Sequence, residues 1–482
     1  MVTMGNPTTV FASGHFNVLH PGHLRLLRFA KEIGDHLVVA VESDRIAGSA
    51  AHVPQHLRLE GVSSNGWVDE AILVDEPVVD LIQRLKPDFV VKGKEHQSKI
   101  NPEQAVVDSY GGKLIFSSGE VTFSSLDLLR KEFYQSTMDD ISLPLEYMGR
   151  HKIESEKLKK LIDQFSSLKI CVVGDLIVDE YITCEPLGMS QEDPTIVVSP
   201  VDTTRFIGGA AIVAAHAAGL GAKVEFVSIV GSDEAHDFSI NKLIESDVAT
   251  ELVVDEGRPT TLKQRFRSKG KTMLRVSHLH QTAISLALQK HVLEKIESII
   301  DKVDLLVFSD FNYGCLPQEL VEKIISLAKS HNVMLAADSQ SSSQIGNISR
   351  FSGMDLLTPT EREARISTRN SEDGLVVLAE QLRNQSSAKN IILKIGEEGV
   401  LIHASDSNSS EGWVTDRVDA LNLSPKDVAG AGDSLLISSA LTLAVGGDIW
   451  EATLIGSLAA AIQVSRVGNT PLQKGELVEE LS

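Results

Sequence analysis

Short apolar runs rich in Val, Ile and Leu, each closed by Gly, Asp or Ser, alternate along the chain with longer segments whose apolar residues recur every three or four positions. Residues 8–13 read as a strand, 14–21 as a loop, 22–33 as a helix stopped by Gly34, and 36–41 as the next strand, which makes a βαβ unit. Strand patterns return at 70–74, 89–92 and 113–117 with helical patterns between them, completing a small parallel sheet. From about residue 133 to 168 the character changes. Ile153, Leu158, Leu161 and Ile162 fall at helical spacing among charged residues and predict an amphipathic connector helix. A buried-type strand at 170–173 opens a second α/β region with further strands near 305–308, 357 and 392–395 and a long apolar run at 434–445. The pattern therefore predicts an α/β protein with a parallel-sheet domain over 1–140, a helical connector over 141–167 and a second α/β domain over 168–482.

Composition narrows this picture. With 482 residues the chain exceeds what one core usually serves, and 42% apolar with 5% aromatic residues suits α/β domains. A formal charge of −21 disfavours nucleic acid and anionic membrane as partners, so any phosphate site must be local. Cys171, Cys184 and Cys315 lack C-x-x-C spacing, which points to reduced thiols rather than a metal cluster. The first ten residues carry neither a basic leader nor an apolar core, and later apolar runs are broken before membrane-spanning length. A soluble, cytoplasmic protein is expected.

The stretch Asp427-Val428-Ala429-Gly430-Ala431-Gly432-Asp433 carries the most chemistry. Its two glycines let a strand-like approach turn into a helix with uncovered N–H groups, an anion cradle strengthened by the helix dipole. Asp433 places a carboxylate where phosphate would repel it, which suits a general base that takes a proton from an attacking hydroxyl during phosphoryl transfer to an alcohol. No Lys-Ser or Lys-Thr follows the glycines, so the cradle is not of the Walker type. Taken alone, the same residues also serve as an ordinary helix cap. His20 and His23, three residues apart at a helix start, can hold nucleotide phosphates or stand as surface histidines. Asp175 and Asp179, at and beyond the end of a buried strand, offer acceptors for vicinal hydroxyls, and Gly208-Gly209 start an Ala-rich helix able to pack closely on a sugar.

Residues 12–23, Ala-Ser-Gly-His-Phe-Asn-Val-Leu-His-Pro-Gly-His, resemble the signature of the cytidylyltransferase-like nucleotidyltransferases, whose fold is Rossmann-like. The resemblance extends over about 8–135, through Val41-Glu42-Ser43-Asp44, Arg58, Val91-Lys92-Gly93-Lys94 and Ser124-Ser125. It implies that His20 and His23 stabilise the α-phosphate while a substrate phosphate attacks it and pyrophosphate leaves. It also implies nucleotide contacts from Ser13, Gly14, His15, Phe16, Lys92, Gly93, Ser124, Ser125 and Arg58, with Mg2+ on the triphosphate. Asn17 stands where an Asp is common, His15 where a Cys is frequent, and Leu126 at a usual Thr place, so the nucleotide, ATP or CTP, stays open.

Across about 168–472 the order of Gly174-Asp175, Gly208-Gly209, Asp310, Glu363, residues 392–399 and the Gly430 to Asp433 cradle resembles the ribokinase-like (PfkB) carbohydrate kinases. Residues 259–275 resemble in particular the lid segment of the heptose-phosphate kinases of ADP-heptose synthesis, whose relatives carry a fused nucleotidyltransferase with the kinase first; here the order is reversed. The resemblance implies that Asp433 is the catalytic base, that Lys394, Gly396, Gly399, Gly430, Ala431 and Gly432 meet ATP, that Asp175, Asp179, Gly208, Gly209, Lys263, Arg265 and Asp310 meet the sugar, and that Glu363 acts indirectly on the metal. It further implies a small β-lid and a homodimer through it. Ile212, Thr360, Ser339-Gln340 and Ala429 depart from the pattern, which bears on the acceptor more than on the chemistry.

The expected function is a bifunctional enzyme that phosphorylates a sugar or sugar phosphate with ATP and transfers a nucleotidyl group to a sugar 1-phosphate, giving an ADP-heptose-like product. The alternatives are the same reactions with CTP and another sugar or polyol, or a nucleotidyltransferase whose kinase-like half only dimerises or senses a ligand.

Overall fold

Alternation of side chains across a pleated strand explains the first unit. Val10 and Phe11 are both fully buried, yet Val10 packs with Leu27, Leu37, Val39 and Val41, and Phe11 with Val38, Ala40, Leu81, Ile82 and Val90. A sheet clothed on both faces follows, as parallel sheets require. The computed structural model describes residues 8–17, 19, 21–93, 101–117, 141–190, 192–193, 195–268, 271–341, 346–406, 409 and 412–482, and the chain divides into two compact units near residue 138. Strands β1 (Thr9–Gly14), β2 (His36–Glu42), β3 (Glu70–Val74), β4 (Phe89–Gly93) and β5 (Lys113–Ser117) form one parallel sheet in the order β3-β2-β1-β4-β5. The order reverses between β1 and β4, so the carboxyl ends of those strands, Gly14 and Gly93, flank the crevice where such sheets bind ligands.

The second unit is built on a nine-stranded sheet. Its strands are β6 (Lys169–Gly174), β9 (Lys223–Val230), β10 (Ala249–Val254), β13 (Leu305–Asp310), β14 (Met334–Ser339), β15 (Leu356–Leu357), β16 (Asn390–Lys394), β17 (Val400–Ser405) and β18 (Trp413–Val418), in the order β10-β9-β6-β13-β14-β15-β16-β17-β18. Pairing is parallel up to β16 and antiparallel through β17 and β18. Its switch point lies between β6 and β13, where a Cβ on Gly174 would fall 1.8 Å from the carbonyl oxygen of Ser309, so only glycine fits. The helices Ala210–Gly219, Ala431–Ala444 and Ile449–Val464 are apolar nearly all round and buried, the expected state of a helix without a polar face.

A second, four-stranded sheet comprises β7 (Leu176–Met189), β8 (Ile196–Gly209), β11 (Thr261–Ser268) and β12 (Lys271–His278), in the order β12-β11-β7-β8. One residue, Asp175, separates β6 from β7, so the lid strand grows directly out of the switch point.

The segment read as one connector helix is two, Leu145–His151 and Ser155–Gln164, broken at Lys152, which takes a left-handed φ of 54°. Both pack into the second unit: Tyr147, Leu158, Leu161 and Ile162 belong to its main apolar cluster, Tyr147 donates to the Trp450 carbonyl at 2.9 Å, and His151 stacks on Trp450 at 4.0 Å. Leu158→Ala should therefore destabilise the second unit by about 2–5 kcal/mol in urea unfolding, the range for an uncollapsed core cavity. A loss under about 1 kcal/mol would place the helix outside the core.

Candidate functional site

In the first unit the carboxyl end of β1 carries Ser13 and Gly14 and runs into His15 and Phe16, while β4 brings Lys92 and Gly93 alongside. His15 Nδ1 lies 3.3 Å from Glu42 Oε2 at the end of β2. Donation to this carboxylate raises the imidazole's pKa, and the imidazole lowers that of Glu42, so the pair favours its charged form. Phe16 takes a left-handed φ of 48° and buries its ring, with the His23 ring 5.0 Å away. Phe16 is thus a wall of the turn, part of the core beside Leu27. Lys92 Nζ meets Glu103 Oε1 at 2.9 Å. Asn17 ties down the following loop, donating to Ala50 O at 2.7 Å and accepting from His52 N at 2.8 Å.

The side chain of Arg58 is fully enclosed and donates to the Val53 carbonyl at 2.8 Å, the His15 carbonyl at 2.6 Å and Asp44 Oδ1 at 2.7 Å. A guanidinium held on three sides holds the His15 turn in place. His20, Ser124 and Ser125 lie outside the described residues.

In the second unit Asp433 sits in the first turn of the helix Ala431–Ala444, only 5% exposed. Gly430, with a left-handed φ of 79°, caps that helix. Gly432 works differently: a Cβ there would lie 3.1 Å from Lys394 Nζ, so its missing side chain admits the ammonium to the cradle. The approach is not strand-like. Strand β18 ends at Val418, and the loop after it is fastened by side chains: Asp427 accepts from Ala429 N at 3.2 Å, and Gln463 donates to the Ala429 carbonyl at 3.2 Å.

Lys394 pairs with Asp338 at 2.7 Å. Burial disfavours its charge, but Asp338, Glu363 and Asp433 more than offset this and hold its pKa above the usual lysine value. Burial pushes Asp433 up to about 7, reinforced by the charge of Asp338 and opposed by Lys394. Burial likewise lifts Asp338 to about 6, and its Oδ1 has no hydrogen-bond partner among the described residues. Gln340 reaches Asp433 Oδ1 at 3.5 Å. Sequence reasoning missed Asp338, although an acid closing the apolar run Met334-Leu335-Ala336-Ala337 repeats the pattern that singled out Asp175 and Asp310.

Asp175 fills the switch point, accepting from Phe311 N at 2.8 Å and from Tyr313 N and Cys315 N at 3.3 Å; burial raises it to about 6. Both its oxygens serve the backbone, so Asp175 shapes the loop after β13. Asp310 is likewise engaged, by Arg350 at 2.8 Å and Ser339 at 2.7 Å. Asp179 stays at the mouth, 3.5 Å from Arg265, and a Cβ on Gly208 would lie 2.5 Å from its Oδ2. Lys263 Nζ stands 5.0 Å from the ring centres of both Phe311 and Tyr313. Gly209 (φ 59°) lets the helix Ala210–Gly219 start against the Asp175 carbonyl, and Ile212 is fully buried in the core behind it. Gly396 and Gly399 take left-handed φ in the turn between β16 and β17.

Glu363 accepts from Thr360 N at 2.8 Å and Ser341 N at 3.0 Å as half of a capping box, so Thr360 and Glu363 build a helix start. Among the described residues no three metal-ligating side chains gather.

Residues 11–138 match the model of the cytidylyltransferase-like family, and residues 167–474 that of the pfkB family of carbohydrate kinases. The chain is 30% identical over 334 residues to the bifunctional protein HldE of Desulfatibacillum aliphaticivorans, covering 68% of this chain and 66% of that one, and 30% identical over 321 residues to HldE of Helicobacter hepaticus, covering 65% and 64%. It thus spans a little under two thirds of these relatives' length. Among solved structures, ribokinase from Thermotoga maritima superposes with a TM-score of 0.51 at 22% identity, covering 65% of this chain and 99% of that one, a likeness of fold. With the kinase model matched over more than half its length, the chain belongs to the pfkB family of carbohydrate kinases.

Proposed function

We propose that the chain is a cytoplasmic bifunctional enzyme that activates a sugar in two steps. In the second unit Asp433 takes the proton from an acceptor hydroxyl as its oxygen attacks the γ-phosphorus of ATP and ADP leaves. In the first unit an oxygen of a sugar 1-phosphate attacks the α-phosphorus of a nucleoside triphosphate, His20 and His23 stabilise the developing charge, and pyrophosphate leaves. Mg2+ enters with the triphosphate as part of the substrate. A heptose phosphate is the acceptor that the lid segment 259–275 favours, and ATP the nucleotide in both halves. The observation that carries the reading is the burial of Asp433 at the glycine-lined start of its helix beside Lys394. Such a carboxylate is held near neutrality, where a general base works best.

The sign of the pH dependence follows. Below about pH 7 Asp433 binds a proton and cannot accept another, so sugar-dependent ADP formation should fall about tenfold per pH unit on the acid side. Asp433→Asn should lower that rate by about 10²–10⁴-fold while nucleotide still binds and pyrophosphate release from supplied sugar 1-phosphate continues. A near wild-type rate in this variant would remove the general base. Absence of sugar-dependent ADP formation by the wild type across a broad acceptor panel would favour a sensing role for this unit.

His23→Ala should abolish pyrophosphate release and leave ADP formation intact. Equal loss of both activities in a folded protein would argue against separate sites.

We also propose a homodimer through the lid, whose strands β7, β8 and β12 expose Leu187, Met189, Ile196, Val201 and Leu274, each more than half accessible. Light scattering at micromolar concentration should give twice the chain mass, and a monomer would remove the idea.

A further inference from the structure

Tyr181 touches both the lid arginines and the loop that opens the cradle. It lies on β7 two residues beyond Asp179, and β11 sets Arg265 directly opposite. The guanidinium carbons of Arg265 and Arg267 stand 5.4 and 4.9 Å from its ring centre, and Phe206 meets the ring edge-on at 5.2 Å. Only 6% exposed, the phenol has its pKa raised by burial, so its O–H remains a donor. That O–H reaches Asp427 Oδ2 at 2.9 Å, the residue opening the anion cradle.

Asp427 distributes this contact. Its Oδ1 accepts from Ala429 N at 3.2 Å, and its Oδ2 also accepts from Gly468 N at 3.2 Å. Gly468 (φ 77°) fits because a Cβ there would lie 2.4 Å from the Phe206 ring. The neighbouring Asn469 turns its amide toward Asp179 Oδ2 at 3.5 Å, and its Oδ1, which has no partner among the described residues, occupies the space a Gly430 side chain would need. Two lid side chains, Asp179 and Tyr181, thus fasten the two loops that frame the cradle, and the cations stacked on Tyr181 are those an anionic acceptor would meet. The carboxylate of Asp427 is oriented by three donors, one of which, the Tyr181 hydroxyl, comes from the lid.

We infer that Tyr181 is a positioning residue that couples an anionic acceptor bound at the lid arginines to the phosphate cradle through Asp427. This rests on the kinase reading of the unit, and its test includes an arm that needs no turnover. The non-hydrolysable analogue AMP-PCP fills the cradle, and inorganic phosphate serves as the probe of the lid cations. In the wild type phosphate should raise AMP-PCP affinity roughly 5–10-fold by calorimetry, within the usual range of coupling between sites. In Tyr181→Phe the affinity without phosphate should hold and the enhancement should vanish. An enhancement absent from the wild type, or equal in the variant, overturns the inference whether or not the kinase step exists. In turnover, Tyr181→Phe should lower kcat about 10–100-fold with the ATP KM nearly unchanged. Asp427→Asn, which keeps shape and loses charge, should do the same, and the double variant should be no worse than the poorer single one. Additive losses would show two independent structural roles and sink the coupling.

Discussion

Lys394 stands among three carboxylates, those of Asp338, Glu363 and Asp433, in surroundings that exclude most water. A charge in such a place persists only if it is paired and hydrogen-bonded, and breaking one member leaves the others uncompensated. The ion pair to Asp338 joins the ends of β14 and β16, and the same ammonium lies against Gly432 at the cradle. Sheet, cradle and base therefore share one electrostatic constraint. Burial does most to raise the basicity of Asp433, and the cluster then tunes it, Asp338 pushing it further up while Lys394 pulls it down.

The two units solve a related problem with different materials. In each, a parallel sheet reverses its order and leaves a crevice at strand ends. The first unit closes its turn with Arg58, whose guanidinium gathers two carbonyls and a carboxylate. The second closes its own with Asp175, whose carboxylate gathers three N–H groups. Both are ionisable residues at strand-end crevices whose charged groups are engaged by the surrounding backbone. The charge of a residue near a crevice therefore does not by itself say what it binds.

That distinction marks the limit of what could be read from residues alone. Short apolar runs placed β3 and β5 at their observed bounds, because strands of a parallel sheet covered on both faces read as nearly continuous apolar stretches. The cradle was legible because Gly430 takes a left-handed turn that favours glycine and Gly432 leaves room beside the Lys394 ammonium. Asp338 was not, since its meaning comes from Lys394, 56 residues away. Nor was the loop leading to the cradle, whose Asp427 and Ala429 are held by Tyr181, Gln463 and Gly468 from elsewhere in the chain. The segment 141–167 shows the same limit: its spacing announced a helix, but the partner for its apolar face is set by tertiary packing.

The packing of that segment also bears on how the second unit comes into being. The helix Ser155–Gln164 buries Leu158 and Ile162 in the same cluster as Leu472, Leu477 and Leu481, and Asp163 meets Lys474 at 2.8 Å. Its first helices and its final one thus complete each other across some three hundred residues of intervening chain, a contact of very high sequence separation. On the ribosome the apolar stripe of 155–164 emerges well before residues 472–481, so this part of the cluster closes only after the whole intervening sheet has been made.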